Sequence, residues 1–247
     1  MFPVGNHYAA GAGKVNSMIM YRSQDDGKSI HKKSPRIIAI ANQKGGVGKS
    51  SITCNLAAIS AEMGYSTLVI DLDVQGNSSM YLGYDIHSEE ALTTGTSVAN
   101  IFKQRRGLLS TKQPPDDYVL ATEHENLFLL PASIELEAME KDLESRYKVY
   151  QLRKALEQID QHYDRIYIET APNFNFYSKS ALIATNTVLI PFDCDSFSKQ
   201  ALYNLIDNMM ELKEDKYETI KKLASYPSPY HTIWGSKRRD LAGNTIL

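Results

Sequence analysis

The stretch Ala41–Cys54, ANQKGGVGKSSITC, decides how the rest of the chain is read. It follows a short apolar run, RIIAIA at Arg36 to Ala41, which has the texture of a buried strand. It opens a helical pattern over Ser50 to Met63, in which Ile52, Leu56, Ile59 and Met63 recur at helical spacing and Gly64 stands where a left-handed cap would end the helix. A strand feeding a glycine-rich turn and then a helix gathers backbone N–H groups and a helix N-terminus around one point, a geometry that binds phosphate. Gly45, Gly46 and Gly48 let the backbone approach an anion without Cβ clashes. Under the phosphate-loop template G-x-x-x-x-G-K-[ST], Lys49 reaches the β- and γ-phosphates and Ser50 ligates Mg²⁺. The template's first glycine is absent, because Gln43 stands there, and a second lysine, Lys44, enters the loop. The bland alternative is an incidental glycine-rich helix entry with solvated lysines.

Outward from the loop, the same alternation continues. TLVIDL at Thr67 to Leu72, LFLLP at Leu127 to Pro131, RIYIE at Arg165 to Glu169 and TVLIPF at Thr187 to Phe192 read as further buried strands. Helical patterns lie between and after them, notably Arg146 to Gln161 and Phe197 to Lys213. On the first of these, Tyr147, Tyr150, Leu152, Leu156 and Ile159 form an apolar stripe suited to sheet packing. Apolar strands alternating with amphipathic helices predict an α/β fold of P-loop NTPase type, a parallel, mostly doubly wound sheet with helices on both faces. Ligands in such folds bind at the carboxyl ends of the strands. Lys103 to Asp117 reads as a polar loop interrupting the sheet. Residues 1–34 lack periodicity and read as a flexible arm, 35–220 as the P-loop domain, and 221–247 as an atypical or truncated C-terminal segment.

Composition bounds the function without choosing it. The 247 residues are 43% hydrophobic and 23% charged, enough for one large domain with a substantial core. A net charge of -2 leaves any nucleic-acid contact to a local basic patch. Two distant cysteines, Cys54 and Cys194, argue against a disulfide framework or a structural zinc site and point to a reducing cytoplasm. No apolar run approaches the length of about 20 residues that spans a bilayer, and the N-terminus lacks a signal-peptide layout. No terminal amphipathic helix with a basic polar face is evident.

KGGVGKS, Lys44 to Ser50, resembles the deviant Walker A motif of the ParA/MinD family of bacterial partitioning ATPases. VIDLDVQGNSS, Val69 to Ser79, is similar to that family's D-x-D-P-Q-G-N segment, with Val74 where proline is usual. YDRIYIETAPNF, Tyr163 to Phe176, corresponds to its Walker B strand, with Glu169 where aspartate is usual, and PFDCDSFSKQAL, Pro191 to Leu202, looks like the ParA side rather than the membrane-binding MinD side. The resemblance covers Ser34 to Lys213 and implies ATP and Mg²⁺ as cofactors. It implies nucleotide contacts from Lys44, Gly45, Gly46, Val47, Gly48, Lys49, Ser50 and Ser51, and metal contacts from Ser50, Asp71 and Glu169. Lys49, Lys44 and Asp73 are the implied catalytic residues. Lys49 serves the subunit's own nucleotide, Lys44 reaches across an ATP-dependent homodimer to the partner's, and Asp73 positions the attacking water. A fixed cation supplied in trans stabilises transferring phosphoryl charge as an arginine finger does.

Two positions carry alternatives. A carboxylate just beyond a buried strand also serves as a helix cap, which is the second reading of Asp71. The extra methylene of Glu169 either preserves a water-mediated Mg²⁺ contact or misplaces it, because Mg²⁺ demands near-ideal octahedral geometry. Further partners implied by the resemblance are a ParB-like protein that stimulates hydrolysis and nonspecific double-stranded DNA, without a membrane. The alternative class is a nucleotide-dependent binding module that hydrolyses little. Lys237, Arg238 and Arg239, with Lys221 and Lys222, are candidates for DNA phosphate contacts or merely solvated. The six histidines show no metal-ligand spacing, and carboxylates flanking Cys194 argue against a reactive thiol. Beyond Lys213 the family's strand and adenine-contacting segment have no counterpart in KLASYPSPYHTIWGSKRRDLAGNTIL.

Overall fold

A computed structural model describes residues 35–103, 113–144, 148–192 and 196–222, with the side chains of 196–198 and of 213–222 left aside. The elements run β1 (Arg36–Ile40), α1 (Lys49–Glu62), β2 (Thr67–Asp71), α2 (Asn77–Tyr81), α3 (Glu89–Thr94), α4 (Ala99–Phe102), β3 (Leu120–Ala121) and β4 (Leu127–Leu130). They continue with α5 (Glu135–Leu143), α6 (Gln151–Ile159), β5 (Arg165–Glu169), α7 (Phe176–Ala184), β6 (Thr187–Leu189) and α8 (Ser196–Lys222). The six strands form one sheet in the order β3-β4-β2-β5-β1-β6. Every pairing is parallel except that of β3 with β4. The five predicted strands are all present. The short β3 was not foreseen, since two residues are too few to carry a period.

Alternation along the strands divides the core into two faces. Ala39, Leu68, Ile70, Ile166 and Ile168 share one cluster with residues of α4, α5, α6 and α7. Their neighbours Ile38, Ile40, Val69 and Tyr167 share the other with Ala57 and Ala61 of α1. Both faces of each central strand are therefore apolar, as a sheet covered on two sides requires. On the first face Phe102 is fully buried and meets Phe176 and Tyr177 edge-on, at centroid distances of 5.5 and 5.4 Å. Tyr177 also donates its hydroxyl to Leu136 O at 2.6 Å, so α4, the start of α5 and α7 meet around these rings. α8 packs through Leu205 against Ala41, Leu182 of α7 and Val188 of β6.

Helix α1 corrects the reading of its own stripe. The residues buried against the sheet are Thr53, Cys54, Ala57, Ser60 and Ala61. Ile59 and Met63 are 52% and 63% exposed. The helix sits close over the strands, where small side chains fit, and Ser60 there hydrogen-bonds the Tyr167 hydroxyl of β5 at 2.9 Å. Gly64 does cap the helix, at φ 85. The pattern over Arg146 to Gln161 is a 3₁₀ turn at Lys148–Tyr150 followed by α6, which buries Leu152, Leu156 and Ile159 as expected. Within Lys103 to Asp117, the described end forms a 3₁₀ turn at Pro115–Tyr118, which leads into β3 at the sheet edge rather than interrupting the sheet. The His162 Nδ1 to Asp116 Oδ2 contact, 2.6 Å, ties that turn to the end of α6.

Several expectations lie outside the described residues. They are the arm at 1–34, the QRRG stretch, Tyr147, Cys194 with its flanking aspartates, and the C-terminal segment from 223 with Lys237 to Arg239. The side chains of Lys221 and Lys222 are outside them too. Among the described residues no helix is long and apolar enough to cross a membrane.

This packing makes a differential prediction for urea unfolding. Phe102→Ala should cost about 3–5 kcal/mol with the m-value preserved. Ile59→Ser, at the exposed stripe of α1, should stay within about 0.5 kcal/mol of the parent. A large loss at Ile59 would restore the buried-stripe reading.

Candidate active site

Strand order places the chemistry. β5 lies between β1 and β2, and its last residue, Glu169, is in register with Ile40 on one side and Asp71 on the other. The carboxyl ends of three neighbouring strands thus deliver the glycine-rich loop, the Asp71–Asp73 segment and Glu169 to one place. These are the positions at which an open α/β sheet binds ligands.

The loop leaves β1 through Asn42, which is 2% exposed and absent from the predicted site. Its amide donates to Pro191 O at 2.6 Å, and its Oδ1 accepts from the Lys44 N–H at 2.9 Å. One side chain thereby fixes the loop's entry against the segment following β6. Gly48, at φ 83, is the N-cap of α1 in the left-handed region, where a Cβ is strained. It supplies no side-chain cap, so the first N–H groups of α1 keep their donors for an anion. Gly45, Gly46 and Ser51 are exposed on this loop and helix start, Lys44 and Ser50 are half-buried, and Val47 is buried.

Lys49 is only 6% exposed, and its ammonium donates to Lys44 O at 3.2 Å. Burial lowers its pKa, and the nearby Glu169 and Asp73 carboxylates oppose that shift. Glu169 is 1% exposed; its Oε1 accepts from Ser50 Oγ and its Oε2 from Ser78 Oγ. Asp71 is fully buried. Its Oδ2 accepts from the Ser79 N–H at 2.9 Å and the Ser79 hydroxyl at 2.8 Å, and its Oδ1 from the Asp73 N–H at 3.1 Å. These bonds fit the capping reading of Asp71, since they hold the turn into α2. Asp73, 5% exposed, accepts from the Gln75 N–H at 3.0 Å.

Burial raises the pKa of both Asp71 and Glu169, and repulsion between the two adds to the rise at Asp71. The two serine hydroxyls act against it at Glu169. Burial also pushes the Cys54 thiol up to about 11, so it stays protonated at neutral pH. Its Sγ donates to Ser78 Oγ at 3.4 Å.

Among the described residues no three His, Cys, Asp or Glu side chains are arranged to hold a metal by themselves. The donors present, a serine hydroxyl backed by carboxylates, are hard oxygens. They suit Mg²⁺, which commonly takes one or two protein ligands and completes its shell with water and substrate phosphates. The site residues named from the sequence therefore converge, except that Asp71 faces Ser79 rather than Ser50. Ser78 and Asn42 were missed. A pair of hydroxyls following a carboxylate-rich strand end was the available signal for the serine.

Comparison with known proteins bears on the family and the fold. The AAA domain family AAA_31 matches residues 35–222. The sporulation initiation inhibitor protein Soj of Bacillus subtilis is 33% identical over 70% of this chain and 64% of its own. Cobyrinic acid a,c-diamide synthase from Mycobacterium smegmatis, solved with bound ADP and magnesium, superposes with a TM-score of 0.63 at 26% identity, covering 73% of this chain and 69% of its own. A plasmid partition protein from Borrelia burgdorferi gives a TM-score of 0.61 at 26% identity, over 72% of this chain and 75% of its own. The chain spans between 59% and 71% of the length of the curated relatives it matches. The match across residues 35–222, with Soj and a plasmid partition protein among the similar chains, makes this chain a member of the AAA domain family, on the side of the ParA/MinD partitioning ATPases.

Proposed function

We propose that the protein is a weak ATPase that dimerises on Mg-ATP and acts in plasmid or chromosome partition or in positioning another cargo. In this reading a ParB-like partner and nonspecific double-stranded DNA stimulate hydrolysis, and the protein works in the cytoplasm, associated with the nucleoid. The observation that carries it is the convergence of Lys49, Ser50, Asp73 and Glu169 around the open N-terminus of α1. The kinship with Soj and with a chromosome partitioning protein ParA from Myxococcus xanthus supports the biological task.

Each side chain has a part that its position allows. Lys49 exchanges the Lys44 carbonyl for phosphate oxygens, where its charge is fully used. Ser50 would offer a lone pair to the metal while its hydroxyl goes on donating to Glu169. Asp73 orients water, and the N–H groups of α1 cradle the phosphates. When bound, Mg²⁺ neutralises charge on the transferring phosphoryl group. Lys44, half-buried beside the exposed Gly45 and Gly46, is the candidate cation for the partner's nucleotide, so that ATP favours the dimer and loss of the γ-phosphate removes the bias.

The reading sets two expectations. Purified protein with Mg²⁺ and ATP should show slow turnover that double-stranded DNA raises, and Asp73→Ala should lower it about 100-fold or more. Turnover no higher than in that variant, in folded protein, would favour a nucleotide-dependent binding module instead. Lys44→Ala should remain monomeric in ATP by light scattering while binding nucleotide within about tenfold of the parent, since the lysine serves the other subunit. ATP-dependent dimers in that variant would remove the role in trans.

A further inference from the structure

Glu169 is one methylene longer than the aspartate expected at the end of this strand, and the structure shows where the extra length goes. The carboxylate spans two hydroxyls from different elements, Ser50 at the start of α1 and Ser78 in α2. Ser78 is fully buried. The Cys54 thiol, on the next turn of α1, donates toward its oxygen at 3.4 Å and toward the Ser78 carbonyl at 3.8 Å. A serine hydroxyl has one proton to give. With the thiol donating to its oxygen, that proton is directed to Glu169 Oε2. The second carboxylate oxygen is thus pinned by a group that makes no other donation, and Oε1 is left to accept from Ser50.

We propose that Ser78 is a positioning residue of the metal site, holding Oε2 of Glu169 so that Oε1 keeps the Ser50 hydroxyl turned with its lone pair toward Mg²⁺. The inference rests on reading the loop as a Mg-nucleotide site. Without the Ser78 hydroxyl the longer carboxylate regains rotation about its terminal bonds, and the Ser50 rotor loses its fixed acceptor. An aspartate at the same strand position is one methylene shorter, so on this reading it spans less of the gap between the two hydroxyls and depends less on the second. Ser78 and Glu169 are therefore a matched pair, and the effect of removing the serine depends on which acid is present.

The test is a double-mutant cycle on the full chain, using a fluorescent ATP analogue titrated with Mg²⁺ and, separately, in EDTA. Ser78→Ala should raise the Mg²⁺ concentration for half-maximal binding about tenfold, the scale on which outer-shell partners tune metal sites. Affinity in EDTA should stay within about twofold, and Ser78→Thr should restore much of the metal response, because it keeps the hydroxyl. In a Glu169→Asp background, Ser78→Ala should shift the Mg²⁺ response less than about threefold. An equal shift in both backgrounds, or an equal loss with and without metal, would overturn the positioning role.

If the parent protein binds no nucleotide under either condition, the functional reading fails instead. Urea unfolding of the same four proteins then judges the pairing directly. Non-additive midpoints support it and additive ones overturn it. Should Ser78→Ala fail to fold, Ser78→Cys carries the same cycle with a weaker donor.

Discussion

Two carboxylates, Asp71 and Glu169, stand buried side by side on neighbouring strands, and much of the local structure exists to make that tolerable. An uncompensated charge in such a place is costly, and like charges in contact add to the cost. Here several donors meet them. Asp71 takes two bonds from Ser79 and one from the Asp73 backbone. Glu169 takes one hydroxyl from each of two helices. Lys49 is the buried cation that answers both Glu169 and Asp73. The turn after β2 and the start of α2 are shaped by these demands as much as by any propensity of their own. The cluster thus gathers three carboxylates and one ammonium at the strand ends beside the open N-terminus of α1, a setting whose acids suit a divalent cation and whose helix end suits phosphate.

The strand pattern and the loop were legible because each is a local signal. Five apolar runs of strand length, one glycine-rich turn and one G-K-S need no tertiary information. What escaped the sequence was set by packing distance. Ile52, Leu56, Ile59 and Met63 make a better helical stripe on paper than Thr53, Ala57 and Ser60, yet the smaller residues face the sheet. A helix that lies close over β5 and reaches Tyr167 with a serine hydroxyl admits only the flank of the larger stripe, where Leu56 is partly buried, and leaves Ile59 and Met63 exposed. Hydrophobic periodicity reports which residues prefer burial, and the approach distance decides which of them obtain it.

The same limit explains the site. Lys49, Ser50, Asp73 and Glu169 were recognisable by residue type and by their order along strand ends. Ser78 and Asn42 were not, because neither has chemistry of its own at that spacing. Asn42 matters through the Pro191 carbonyl, 149 positions away, and Ser78 through a glutamate 91 positions away. Asp71 shows the reverse case. Its residue type allowed two roles, and only the placement of Ser79 assigns its oxygens to the turn.

The order β2-β5-β1 also has a consequence in time. Ser50 and Glu169, the two residues whose contact joins the loop to the central strand, are 119 positions apart. β5 must insert between two strands made long before it, and closing so long a loop precedes any of the contacts that reward it. During synthesis the loop and the first two strands therefore leave the ribosome without their central neighbour, with two rows of backbone donors and acceptors unpaired. The nucleotide site is complete only once β5 is in place, so occupancy of the site reports on the insertion of that central strand.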